Sequence, residues 1–137
     1  MPESPSQITY KPYVGDMPVG EAHQSLMRKQ RATEEKSQIS FDLSEIDLSK
    51  TEVHQVDRAT AKEVIERYEY LQCMPAISFL HFGITFHTSD GPKLGGVLVY
   101  GYDYARNLGH WDKYGYTDNM LLLARGVCIW WTPKNTA

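Results

Sequence analysis

Cysteine is scarce in this chain, with only Cys73 and Cys128 among 137 residues. Neither stands in a CxxC pattern or beside histidines at metal-ligand spacing. The pair therefore makes no disulfide framework and no zinc site of the finger type, and a reducing, cytoplasmic setting is the expectation. Long apolar runs are missing too. No stretch reaches the roughly 18 residues that a membrane span requires, and MPESPSQITY has no basic start followed by an apolar core. Basic charge is not in excess: 14 Lys and Arg stand against 17 Asp and Glu, a formal net charge of −3. That balance counts against DNA binding driven by phosphate contacts alone, while leaving room for an enzyme that meets DNA through a small local patch.

Large apolar side chains are sparse over residues 1–50, which hold Pro2, Pro5, Pro12 and Pro18 among many Ser, Gln, Glu and Lys. A segment of this kind buries too little surface to offset its ordering entropy, so it reads as a polar, flexible arm. Within it EAHQSLMRKQRATEEK has a thin apolar stripe of Ala22, Leu26 and Met27. Residues 51–137 read as the folded domain. TEVHQVDRA, residues 51–59, suits a short strand. The TAKE run from Thr60 to Glu63 spells a capping box, and Ala61, Val64, Ile65, Tyr68 and Leu71 follow at helical spacing up to Pro75. FLHFGITFH alternates, with Leu80, Phe82, Ile84 and Phe86 on one side and His81, Gly83, Thr85 and His87 on the other. Ser89 to Pro92 supply a turn, and LGGVLVYGY returns as the second arm of an antiparallel hairpin. An irregular stretch rich in Tyr, His and Trp precedes a last strand, MLLLARGVCIWW, which is apolar on both faces and needs cover on both.

Arg125 lies inside that last strand. Its guanidinium stays protonated, so it must meet a carboxylate such as Glu66 or Asp103, emerge at a sheet edge, or serve a ligand. Gly126 beside it marks either a bulge or close packing. His81 and His87, six residues apart on one strand, lie roughly 20 Å apart and cannot share an ion, so no metal site is expected. Tyr70 sits off the helical stripe. Its hydroxyl faces solvent or a site. Thr132 and Pro133 have the chemistry of an N-cap and a first helical residue.

In order and spacing, RYEYLQ, HFGI, GGVLVYG, LLARGV and TPKNTA resemble acyl-CoA-dependent N-acyltransferases of the GNAT type, and more specifically the phage DNA-modification proteins of the Mom type. The resemblance covers residues 52–137. It implies an α/β or α+β fold whose mixed, mostly antiparallel sheet carries a helix on one face. It also implies transfer of a carbamoylmethyl or acyl group to the exocyclic amine of adenine, with acyl-CoA (acetyl-CoA) as donor and DNA as substrate in the host cytoplasm. An arginine on the fourth strand and a tyrosine at the first helix end belong to the family's presumed active site, and fall on Arg125 and Tyr70. The strand that feeds the helix start at Thr132 and Pro133 suits a pyrophosphate, so cofactor contacts are expected at Gly126, Val127, Thr132 and Asn135. The aromatic loop from Tyr102 to Tyr116 would stack a flipped base, with contacts expected at His110, Trp111 and Tyr114. Around Tyr70, Glu69 and Gln72 stand where relatives tend to have His and Gly. A C-terminal third present in relatives is missing after Ala137, so the resemblance further implies a fragment whose sheet is completed by a protein partner or a second copy. A phage structural or adaptor protein, and an N-acyltransferase for small molecules, are the other two classes the sequence allows.

Overall fold

The computed structural model describes residues 23–102, 111–116, 120–134 and 136. They form an α+β domain built on a four-stranded antiparallel meander, β1 (Glu52–Gln55), β2 (Leu80–Thr88), β3 (Gly91–Gly101) and β4 (Leu122–Cys128), in that spatial order. Two helices accompany it, α1 (His23–Glu35) and α2 (Arg58–Tyr68). Every strand pair among the described residues is antiparallel.

The core lies between α2 and one face of the sheet. Ala61, Val64 and Ile65 from the helix meet Val97 and Val99 of β3, Val127 of β4, and Ile129 just beyond it. The helical stripe of the sequence is therefore real, but its ends differ from the expectation. The N-cap is Asp57, whose carboxylate accepts the Thr60 N–H at 2.7 Å, and Thr60 itself lies inside the first turn. An acidic cap also complements the helix dipole, which the TAKE reading leaves unused. At the other end the helix stops at Tyr68, well before Pro75, and Leu71 is exposed.

Strict alternation also fails at two places, for one reason. Between β2 and β3 the pairing steps from Ile84–Gly96 to Thr85–Leu94, so Gly95 has no opposite residue. On β3 Gly95, Gly96 and Val97 are consecutively buried, and on β2 Phe86 is buried like His81 although the two have opposite parity in the sequence. A Cβ on Gly95 would collide with the Phe86 ring and come within 2.9 Å of Thr132 Cγ2, so glycine is what admits the ring here. Between β3 and β4 the pairing steps from Val99–Arg125 to Tyr100–Leu123, leaving Ala124 as the extra residue. A bulge of this kind turns the residues on its two sides to opposite faces.

His81 is buried rather than on an exposed face. Its Nε2 lies 2.8 Å from Ser78 Oγ. Burial holds its pKa below the ordinary histidine value, helped by the Arg58 charge and opposed by Asp57. The sign follows directly. Below about pH 6.5 the unfolded chain takes up a proton that the folded chain refuses, so stability is complete above that pH and declines as pH falls toward the folded pKa. His81→Gln should therefore flatten the fall in melting temperature between pH 7.5 and 5.0, and an unchanged slope would show that other groups dominate it.

Residues 23–50 are not a detached arm. Helix α1 buries Met27, Arg31 and Glu35, and its polar side chains are its anchors. Arg28 donates to the carbonyls of Cys128, Ile129 and Trp130 at 2.7, 3.1 and 2.9 Å. Arg31 Nε donates to Arg67 O at 2.8 Å, and the Gln24 amide bridges Tyr68 O and Tyr70 N. Residues 1–22 lie outside the described residues. The sheet face away from α2 carries Val53, Leu98 and Leu123, which are 70%, 40% and 53% exposed. The described residues do not cover it.

Candidate active site

Helix α2 ends in a tight turn that brings its C-terminal residues beside β4. Glu69 caps the helix, its N–H reaching Ile65 O, and Gln72 N then closes a turn back to Glu69 O at 3.0 Å. Gln72 takes a left-handed backbone with φ of 51°, sparsely populated by residues other than glycine. Glu69 Oε2 accepts the Leu71 N–H at 2.8 Å and helps to hold the turn closed. Tyr70 is placed from the other side, where its N–H meets Gln24 of α1 and its ring stands edge-on to His23.

A cleft of 680 Å³ opens between this turn, β4 and the uncovered sheet face. Its lining is mostly apolar, with Phe82, Ile84, Leu98 and Leu123 from the sheet, and four side chains able to ionise: Glu69, Tyr70, Arg125 and Cys128. Gly126 narrows no further because a Cβ there would come 2.8 Å from Leu98 Cδ2. That atom is the far end of a side chain 40% exposed and free to shift, so packing alone does not require glycine at 126, and the bulge is at Ala124.

Among the described residues Arg125 does not meet Glu66, which pairs with Lys62 at 3.7 Å; Asp103 lies outside them. Instead its Nε donates to Cys73 O at 3.2 Å and Nη1 to Ala124 O at 2.7 Å, while Nη2 lies 3.6 Å from Cys73 Sγ. Those contacts occupy three of the five N–H groups of a guanidinium. The other two make no hydrogen bond among the described residues. Glu69 is 5% exposed, and burial raises its pKa above the ordinary carboxylate value against the opposing pull of the backbone N–H of Leu71, the charge of Arg125 and the backbone N–H of Gln72. Burial likewise pushes the Cys128 thiol up, despite Arg28 nearby.

Of the residues singled out from the sequence, Arg125, Tyr70, Gly126 and Val127 line this one cleft. Thr132 does not: it is buried beneath the sheet end, and its hydroxyl donates to Ile129 O at 2.7 Å instead of capping a helix. Trp111 and Tyr114 stand together, ring centroids 6.3 Å apart, at the N-cap and the last residue of a single helical turn (Asp112–Tyr114), and are not among the lining residues. His110 and Asn135 lie outside the described residues. Glu69 is the functional candidate that periodicity misses, because nothing in its spacing marks it as buried.

Comparison with known families decides the affiliation. The model of the Mom protein family matches residues 50–125, more than half of the chain. The chain belongs to the Mom protein family. The match runs from the start of β1 through α2, β2 and β3 and reaches Arg125 in β4, so it takes in Glu69, Tyr70 and the Arg125 side of the cleft. No curated protein and no solved structure matches this Mom-family chain. Among its described residues no helix is long and apolar enough to cross a membrane, and no group of three or more His, Cys, Asp or Glu is placed to hold a metal ion.

Proposed function

We propose that this Mom-family chain is a phage-type DNA-modification enzyme that transfers an acyl or carbamoylmethyl group to the exocyclic amine of adenine. The observation that carries the reading is that the family match takes in most of the residues that line the cleft, Arg125 and Tyr70 among them. An acyl-CoA donor suits the chemistry of the lining. β4 is an edge strand among the described residues, broken by the Ala124 bulge, and it offers backbone hydrogen-bonding groups along its free side. Gly126 and Val127 belong to that strand, and the apolar side chains around them suit the thioester arm. The donor would supply an acyl carbon carried on a good thiolate leaving group.

The chain's own residues would do the rest. Arg125, two of whose N–H groups make no hydrogen bond among the described residues, steadies a carboxylate, a phosphate or the developing oxyanion. Tyr70 presents a phenol at the same wall. A base taken out of the duplex can be received against Phe82 and the neighbouring apolar surface, which excludes water from the amine. The test is direct. Adenine-containing DNA incubated with the chain and acetyl-CoA, then digested to nucleosides, should show deoxyadenosine of increased mass. Acylation of small amines with DNA untouched would overturn the DNA reading, and stable binding to a phage particle without any transfer would favour an adaptor.

A further inference from the structure

We infer that Glu69 is the proton acceptor for the attacking amine, a role that rests on the reading of the cleft as a transferase site. The argument begins with what an exocyclic adenine amine requires. Its lone pair is delocalised into the ring, so attack on an acyl carbon leaves a nitrogen that must shed a proton, and a positioned base speeds such a step. Among the described residues lining the cleft, Glu69 supplies the one carboxylate. Arg125 cannot lose its proton. Burial makes the Cys128 thiol hold its proton the more firmly.

The position is prepared by the fold. Glu69 follows the last turn of α2, and the Leu71 N–H fixes one of its carboxylate oxygens at 2.8 Å. A fixed, buried carboxylate in an apolar cleft is the arrangement that brings a carboxyl pKa toward the working range, and the direction at Glu69 agrees. The groups that face it are the Arg125 guanidinium from β4 and the N–H groups of Leu71 and Gln72 in its own turn. Arg125 beside it keeps the ionised form available despite the burial. The step balances as follows for an acyl thioester: the amine nitrogen bonds to the acyl carbon, the carbon–sulfur bond breaks with its electron pair leaving on sulfur, and the amine proton passes to the Glu69 carboxylate. Glu69 then returns that proton to the thiolate.

Glu69→Gln is the informative change, because the amide oxygen can still accept the Leu71 N–H while the group can no longer take a proton. The expected result is a transfer rate to DNA lower by about 10²- to 10⁴-fold, with the melting temperature nearly unchanged. The acidic limb of the pH–rate profile should also vanish. A second readout needs no donor: difference infrared titration of the wild-type chain against Glu69→Gln should show one carboxyl protonating above the ordinary glutamate range. Glu69→Gln activity within threefold of wild type, with the acidic limb intact, would overturn the base while leaving the transferase reading in place. A Glu69 that stays ionised well below the ordinary range would overturn it as well. A wild-type chain that shows the titration but never modifies DNA would overturn the transferase reading, and the role with it.

Discussion

Replacing Glu35 by alanine should destabilise the domain by about 3 kcal/mol, the cost expected when one member of a buried, hydrogen-bonded charge network is removed. Glu35 ends α1 and is the point where three distant parts of the chain meet. Its Oε1 accepts from Arg67 at 2.7 Å, and its Oε2 accepts from the Tyr68 hydroxyl at 2.9 Å and the Trp130 indole at 3.0 Å. The first two partners lie on α2 and the third follows β4, so a single carboxylate ties helix to helix and helix to sheet end. Burial, with the Glu35 carboxylate adding to it, pushes the Tyr68 phenol up to about 12, so it stays a donor across the accessible pH range. Alanine would strand the hydroxyl and the indole N–H, at about 1 to 3 kcal/mol for a buried donor left unmade. Arg67 is half exposed and can turn to water, which keeps the total at the lower end. Glu35→Gln retains acceptance by one oxygen and should fall between. Urea unfolding with unchanged m-values checks both variants, and a loss below about 1 kcal/mol for alanine would show that α1 is not integral to the domain.

That result would bear on what was legible in the sequence. Elements stabilised by apolar periodicity were readable: the α2 stripe and the β2–β3 hairpin stand where residue spacing puts them. Helix α1 was not, since Arg28, Arg31 and Glu35 hold it with polar groups, and a search for an apolar stripe sees only a thin one. The bulges at Gly95 and Ala124 were equally hidden. Each adds one residue to one strand, Gly95 to β3 and Ala124 to β4, and from there on the parity argument along that strand inverts. At the site, Arg125 announced itself as a charge in an apolar strand. Glu69 did not, because it looks like any glutamate at a helix end, and only the fold of the turn reveals its burial.

The central claim is that Arg125 acts on an anion in the cleft rather than merely bracing the turn. Its contacts allow the two roles to be separated. A lysine keeps the charge and can still reach one carbonyl, of Cys73 or of Ala124, but it loses the planar fork and the two N–H groups left for a ligand. If the guanidinium were only a brace, Arg125→Lys would cost some stability and leave turnover intact. If it stabilises charge that develops during transfer, turnover should drop by about 10²- to 10³-fold, as when a placed donor is removed from an oxyanion site. The measurement is the yield of mass-shifted deoxyadenosine from DNA treated with wild type and Arg125→Lys at equal folded concentration. A fall of that size with a melting temperature within a few degrees is the predicted result, and equal yields from the two proteins would contradict it.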